Sequence, residues 1–366
     1  MDKSFLHIFV HLIDNNHDKY IGIKQQLSQK SNHVIKELRL SKKSVETFNK
    51  VEFSNRKFFR EFYYSNVFKE IENKLIDLIN SNKDFTFVYI KDEGVWSEYL
   101  RFFIKKYKLD KLKLVNVQHG FLMRNTHSSL RTSFINLINS CYNHIFGYPK
   151  FGIGPFKGPF DYYLLFHREL CKETLPGATA IACPNLINRS FIDNYRNTAN
   201  NVSLIDKSIL IALPYYVRFG FYSLNFKDLL KSLIPLLNDV NENYGYQIFL
   251  RKHPGMKKPV FLQNLRELNL LNKVNVDDSN LETSINRSPY IFSFNSTILF
   301  EASLINRIPV IIDNKSFDLS GFPIKYNTID TDQNITKQLD NIFNIKPTKN
   351  NLNDEINWPK YIEGKI

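Results

Sequence analysis

The sequence predicts two α/β domains around a central cleft. Three observations lead there. Apolar, strand-like runs alternate with stretches of helical periodicity on both sides of a polar, Asn-rich segment at 197–207. Strand–helix–strand order of this kind implies parallel strands with helices on the sheet faces. Three short motifs also sit where a strand should run into a helix, and α/β sheets bind ligands beyond the carboxyl ends of their strands.

The elements follow from the pattern. LHIFVHLI is a first strand; the His and Asp residues that interrupt its apolar stretch argue against a signal peptide. Residues 44–82 have long helical periodicity. FTFVYIK is a continuous apolar strand, VWSEYLRFFIKKYKL a helix and LKLVNVQ a strand. FGYPKFGIGPFKGPF, rich in Gly and Pro, is a long ordered loop or lid. DYYLLF and ATAIAC end the first domain. Beyond the linker, SILIALPYY is a strand, FKDLLKSLIPLLNDVNENY an amphipathic helix, and YQIFLRK and VNVDD are strands. IFSFN, ILFEASLINR and IPVIID then read as strand, helix and strand. The expected division is 1–200 and 201–345, both Rossmann-like, with a tail at 346–366 whose Trp358 and Tyr361 pack on the first domain.

The bulk properties agree with this architecture. A chain of 366 residues accommodates two ordinary domains, and 43% hydrophobic against 23% charged residues supports real cores. With 31 Phe and 19 Tyr those cores can be aromatic. Cys141, Cys171 and Cys183 lack metal-type spacing and are too few for a disulfide framework, which implies a reducing compartment. No apolar run approaches the roughly 18 residues that span a bilayer. The net charge of +13 admits nucleic acid, an anionic membrane surface or anionic small substrates as partners. The charges are scattered, in short clusters such as Lys42-Lys43 and Lys105-Lys106, and no zinc-finger, RRM-type or P-loop signature is present. Nucleic acid is therefore disfavoured against the other two.

Each motif has a chemical reading and a plainer one. Asp92-Glu93-Gly94 follows FTFVYIK, and a carboxylate on the rigid end of a buried strand is well placed to deprotonate a hydroxyl. Acidic residues also simply cap helix N-termini. Lys252-His253-Pro254 follows YQIFLR, so Arg251, Lys252 and His253 bring up to three donors to one strand end. Pro254 stiffens that turn. His253 could donate to a phosphate oxygen and stabilise a leaving group, or the segment is a basic turn. Ser296-Thr297 opens a helix, where hydroxyls and backbone N–H groups make an anion site and where Ser and Thr also serve as caps. Glu301, one turn further on, suits a ribose hydroxyl or is a solvated or capping side chain. Gln118-His119-Gly120 ends LKLVNV; Gly120 permits a tight turn, and His119 is a candidate base or a scaffold residue. No His, Cys or Asp set has zinc spacing, and Asp277-Asp278 marks a loop in place of a metal–diphosphate motif.

The order acidic-acidic-Gly, His-Pro, Ser-Thr resembles bacterial sialyltransferases of the GT-B type, including capsule polysialyltransferases and lipooligosaccharide sialyltransferases. The resemblance extends over about residues 85–315, and Asp92-Glu93-Gly94-Val95-Trp96-Ser97-Glu98-Tyr99 looks like a longer motif of some of these enzymes, with inexact spacing. It implies a GT-B-like fold with an acceptor-binding first domain and a nucleotide-sugar-binding second one. It further implies a CMP-sialic acid or related CMP-sugar donor, a glycan or glycolipid acceptor, and neither metal nor cofactor. Asp92 would be the base, with Glu93 beside it and Gly94 in the turn. His253 would assist departure of CMP, with Lys252, Pro254, Ser296, Thr297 and Glu301 around the donor. The implied location is the cytoplasm, peripheral on the inner face of a bacterial plasma membrane. Gln118-His119-Gly120 departs from this pattern and looks more like capsule Kdo transferases and CDP-glycerol polymerases of teichoic acid synthesis. In that case His119 is the competing base and Gly120 belongs to the donor site. A non-catalytic glycan- or nucleotide-binding protein is the reading from another class.

Overall fold

The computed structural model describes residues 3–11, 20–39, 72–79, 84–91, 100, 103–104, 107–118, 160–166, 170–171, 177–199, 201–214, 226–294, 296–313, 326–346 and 356–365. Two compact units emerge, one of Met1–Ser190 with Asp354–Ile366, the other of Phe191–Asn353. Each is built on a six-stranded sheet, and every strand pair is parallel.

In the first unit the strands are β1 (Phe5–His11), β2 (His33–Arg39), β3 (Phe85–Ile90), β4 (Leu112–Val117), β5 (Tyr162–Leu165) and β6 (Thr179–Ala182), in the order β2-β1-β3-β4-β5-β6. Winding reverses between β1 and β3. Helices α1 (Ile21–Leu27), α2 (Pro184–Ile187) and α3 (Arg189–Ala199) accompany the sheet, with α3 crossing from this unit into the next. Gly22 lets α1 approach α2 closely: a Cβ there would meet the Leu186 carbonyl oxygen at 2.2 Å. Leu100, Phe103 and Ile104 are helical and buried at the spacing of one helix face.

One face of this sheet is a stack of rings. His7 lies parallel to Phe87 and His33, and Phe9 parallel to Tyr89. The C-terminal helix Trp358–Glu363 is fastened onto this aromatic face. The Gln26 side chain holds the backbone just before it, donating to the Ile356 carbonyl and accepting from the Trp358 amide. The Trp358 indole donates to the Tyr89 hydroxyl at 2.8 Å. A buried polar chain then runs from Tyr89 to His7 Nδ1 (2.8 Å), from His7 Nε2 to His33 Nδ1 (2.8 Å) and from His33 Nε2 to Glu363 (3.0 Å). A carboxylate only accepts, so with both imidazoles neutral each donor in this chain points toward Glu363. Burial, and secondarily His33, hold His7 well below its usual pKa. The hydrogen bond from His33 holds Glu363 below the usual carboxylate range.

The second unit has β7 (Ser208–Ala212), β8 (Gln247–Arg251), β9 (Asn275–Asp277), β10 (Tyr290–Ser293), β11 (Ile308–Asp313) and β12 (Asn327–Asp330), ordered β12-β11-β10-β7-β8-β9. Counted within the unit this is the 3-2-1-4-5-6 winding of dinucleotide-binding folds, with the reversal between β7 and β10. β7 reads SILIA and is buried throughout, as a central parallel strand must be. The helices are α4 (Phe226–Ser232), α5 (Ile234–Asp239), α6 (Lys258–Glu267), α7 (Leu281–Arg287), α8 (Thr297–Leu304) and α9 (Ile335–Phe343).

The segment expected as one helix over 226–244 is instead α4, α5 and a π-turn at Val240–Tyr244, with Pro235 in the first turn of α5. Proline lacks the N–H that would continue the earlier helix. Gly245, at φ +63°, reverses the chain into β8. The expected linker begins inside α3, and coil follows from 201 to 207. β2 and β12, absent from the expected strands, are sheet edges with mixed polar sequences. No helix among the described residues is long and apolar enough to cross a membrane.

Candidate functional site

The carboxyl edge of the second sheet collects the described motif residues. β7 lies at its centre, with β8 on one side and β10 on the other. β8 delivers Lys252 and His253, both half-buried, followed by exposed Pro254 and Gly255. The Met256 amide donates to the His253 carbonyl at 2.9 Å, closing a tight turn. Within it the Gly255 amide donates to His253 Nδ1 at 3.0 Å. An Nδ1 that accepts leaves the neutral ring's proton on Nε2, so the turn sets the tautomer. Burial first, and the Lys252 ammonium second, hold His253 below its ordinary pKa. The imidazole is therefore a neutral Nε2–H donor near pH 7.

Arg251 does not join these donors. Its Nη1 reaches Asp277 Oδ2 at 3.2 Å, the Ser279 carbonyl at 2.6 Å and Ser284 Oγ at 2.8 Å. Asp277 is buried at the end of β9 and is also 3.7 Å from Arg287, whose guanidinium lies over the Phe249 ring. The pair locks β8 to β9 and α7, because a buried carboxylate must be paired. Asp277 is thus a structural anchor, and Asp278 takes Lys258 at 2.5 Å.

On the other side of β7, β10 ends in Ser293, whose Oγ donates to the Ala212 carbonyl at 2.6 Å. This bond ties β10 to β7 where the winding reverses. Helix α8 then begins. Ser296 has extended backbone, and its Oγ accepts from the Ile298 amide at 3.4 Å, so it caps the helix. Thr297 is the first helical residue, and Ser296 and Thr297 are both half-buried. Nearly every other residue of TILFEASL is buried, Glu301 included. A helix apolar all round is held by its surroundings, which directs the positive end of its dipole to the carboxyl edge of the sheet. β8 and β10 are separated by one strand, so their ends lie about 10 Å apart, the span of a nucleoside phosphate.

In the first unit, Asp92, Glu93, Gly94, His119 and Gly120 lie outside the described residues. Their flanks are described. Lys91 closes β3, with its ammonium 4.5 Å from the Tyr20 ring centre. Gln118 is tied to β5 twice, its amide donating to the Leu164 carbonyl and its Oε1 accepting from Phe166 N at 2.8 Å. Sequence reasoning did not single out Ser293 or the Gly255 amide. A serine at the end of an apolar strand carries no signal of its own, and a backbone donor carries none at all. Among the described residues no group of three or more His, Cys, Asp or Glu side chains is arranged to hold a metal ion.

No family model and no curated sequence matches the chain. Solved structures do. The UDP-GlcNAc 2-epimerase of Neisseria meningitidis, solved with UDP-GlcNAc, aligns over 99% of this chain and 93% of its own at 11% identity and a TM-score of 0.53. A Listeria monocytogenes protein assigned as a UDP-N-acetylglucosamine 2-epimerase covers 97% of this chain and 92% of its own at 12% identity, also with a TM-score of 0.53. The wall teichoic acid polymerase TagF aligns over 98% of this chain and 87% of its own, with 14% identity and a TM-score of 0.46. At such identities the likeness is one of fold, and with the two parallel sheets it makes this chain a two-domain α/β protein of GT-B-like architecture.

Proposed function

We propose that the chain is a metal-independent, inverting glycosyltransferase that moves sialic acid, or a related nonulosonate, from a CMP-activated donor to a glycan hydroxyl. The observation that carries this reading is the pair of anion-directed groups flanking β7. His253 is held as a neutral Nε2–H donor at the end of β8, and the capped N-terminus of α8 follows β10. A protein of the same fold binds a nucleotide sugar. The resemblance of the motif trio narrows the donor to a CMP-sugar.

In the proposed reaction the acceptor hydroxyl oxygen attacks the anomeric carbon while the bond from that carbon to the phosphate oxygen breaks. Asp92 takes the hydroxyl proton. CMP leaves with the bonding electrons, and its phosphate is met by the His253 N–H and the α8 amides and hydroxyls. Such preorganised donors stabilise charge as it develops. The acceptor is assigned to the first domain and the donor to the second.

A second reading is favoured by one observation. Gln118 is locked to β5 through both main chain and side chain, which makes the strand end before His119 rigid and suits His119 as base in a CDP-glycerol transferase. One experiment decides between them. Asp92→Asn and His119→Ala are assayed on CMP-sialic acid, CMP-Kdo and CDP-glycerol. The first reading expects Asp92→Asn to lose about 10²–10⁴-fold in rate on the CMP-sugar with donor binding retained. Inactivity of the His119 variant alone, with turnover of CDP-glycerol, replaces it by the second. Transfer by neither reading's donor, with cytidine nucleotides still bound, leaves a binding protein.

A further inference from the structure

The chain passes between the two units twice, after Ser190 and after Asn353, and the second passage ends in the C-terminal helix, which belongs to the first unit. Six residues are too few to hold a helix by themselves in water. Its place therefore depends on what it touches. Trp358, Pro359 and Ile362 are buried. The Trp358 ring stacks on Tyr361 at 5.8 Å and meets Tyr162 of β5 edge-on at 5.7 Å. Both ends are fastened by polar contacts. The Gln26 side chain holds the start, and Glu363 holds the finish, one carboxylate oxygen accepting from His33 at 3.0 Å and the other from Lys30 at 3.5 Å.

The polar chain beneath this helix runs in one direction. Trp358 donates to Tyr89, Tyr89 to His7, His7 to His33 and His33 to Glu363. His7, Tyr89 and Trp358 are all fully buried. A proton added at His7 Nδ1 faces the Tyr89 oxygen and turns the Tyr89 O–H away from its acceptor. A proton added at His33 Nδ1 faces the His7 Nε2–H; relieving that contact shifts the His7 proton to Nδ1, with the same result. Either way a buried hydroxyl proton loses its partner directly against the Trp358 indole, and a buried unpaired donor is costly. Burial raises the Tyr89 phenol, so ionisation gives no escape. Lifting the helix does, because water then reaches Tyr89 and His7. The titratable and charged groups around this chain are His33 from β2, Tyr89 from β3, Tyr162 from β5, Tyr361 and Glu363 from the helix, Lys30 against Glu363, and Lys365 over the Tyr361 ring at 5.8 Å.

We propose that the C-terminal helix is a proton-released latch: one proton taken up by the His7–His33 pair undocks it from the first sheet while the sheet stays folded. The helix contributes no strand to that sheet, so its release leaves the β-ladder of β1 to β6 intact. The sign follows from His7, held well below its ordinary value by burial and secondarily by His33. Docking has its full strength above about pH 6.5, where the solvated imidazole is also neutral. Below that value only the undocked form takes up the proton, so docking weakens toward the docked pKa, by at most about tenfold per pH unit. Protonation of Glu363, whose pKa is lowered first by the His33 hydrogen bond, adds a loss of the same sign at lower pH. Release frees the second passage of the chain from its anchor, whatever reaction the protein performs.

The test is hydrogen exchange of the full chain read by mass spectrometry at pH 7, 6 and 5, with exchange times scaled to the intrinsic chemical rate. The amides of Tyr361, Gly364 and Lys365 donate to the carbonyls of Asn357, Lys360 and Ile362 and report the latch; β3 is the reference. Their protection is expected to fall between about fivefold and about thirtyfold from pH 7 to pH 5. At pH 5 it should lie below that of β3, and about 0.5 M urea should speed exchange in β3 while leaving the helix nearly unchanged, because a local opening exposes little surface. His7→Gln should abolish the pH dependence. Glu363→Gln keeps an acceptor for His33, so it should lower protection at pH 7 and retain the dependence. Equal protection of the helix at pH 7 and pH 5 overturns the latch. So does exchange of the helix in step with β3 and with the same urea response, which means that the unit opens as a whole. A pH dependence lost in Glu363→Gln but kept in His7→Gln assigns the titration to the carboxylate and overturns it too. Where His7→Gln does not fold, the wild-type pH series and its urea response decide.

Discussion

Acidification should loosen the first unit through His7. This imidazole is buried in the chain from Trp358 and Tyr89 to His33 and Glu363. Its two nitrogens already have defined roles, one accepting from Tyr89 and the other donating to His33. A second proton would sit on Nδ1, facing a Tyr89 hydroxyl that already receives the Trp358 N–H. Burial and the neighbouring His33 accordingly depress its pKa well below 6.5. The sign follows from linkage. Above the unfolded value near 6.5 neither state binds the proton, and the full stability is present. As pH falls below that value the unfolded chain takes up a proton that the native state refuses, so stability declines toward the folded pKa. The slope is at most about 1.4 kcal/mol per pH unit, so the loss between pH 6.5 and pH 5 has a ceiling of about 2 kcal/mol. Below about pH 4.5 protonation of Glu363, whose pKa is also depressed, adds a loss of the same sign. The assay is urea unfolding followed by Trp358 fluorescence in a Trp96→Phe background, at pH steps from 8 to 5, with and without His7→Gln. The glutamine keeps a donor and an acceptor but does not titrate, so subtracting the two curves removes the histidines that do not touch His7. Equal pH slopes in the two proteins would refute the assignment of His7 as a buried neutral ring.

Three further outcomes follow from particular contacts. Gly22→Ala puts a methyl 2.2 Å from the Leu186 carbonyl oxygen and 2.9 Å from Arg189 Cβ, so α1 and α2 must separate; a loss of about 1–3 kcal/mol is expected in the same urea assay, and unchanged stability would mean that α1 shifts without cost. Asp277→Ala leaves Arg251 and Arg287 without their shared buried carboxylate, a loss of about 3–5 kcal/mol, and because this pair holds β8 the His253 turn should exchange its amides faster; protection at Gly255 equal to wild type would separate the two. Donor turnover should persist in EDTA, since the proposed chemistry uses protein donors; abolition reversed by Mg²⁺ or Mn²⁺ would contradict the mechanism.

The strands legible in the sequence are those whose burial is recorded locally. SILIA, FTFVYI and IPVIID are continuous apolar runs because parallel central strands are covered on both faces. β2 and β12 escaped notice because an edge strand has one neighbour and needs less apolar surface, and HVIKELR and NTID carry no run of the required kind. The helix at 226–244 was legible as apolar periodicity but not as three pieces, although Pro235 marked the interruption. The His-Pro and Ser-Thr motifs were visible because both stand at strand ends, where chain direction alone brings side chains to one edge of the sheet.

What the sequence by itself determined was the class of the fold, its central strands and the residue types offered at the strand ends, all properties of neighbours along the chain. Tertiary structure alone decided which of those residues remain available and how they are held. Arg251, adjacent to Lys252 and of the same charge type, is withdrawn into a pair with Asp277 because β9 lies beside β8. The His253 tautomer is set by a backbone amide two residues on, and Tyr20, His11 and Lys91 converge because β1 and β3 are hydrogen-bonded neighbours. Strand order arises from pairing between segments far apart in the chain, and the electrostatics of a site depends on distances in space that local sequence does not encode.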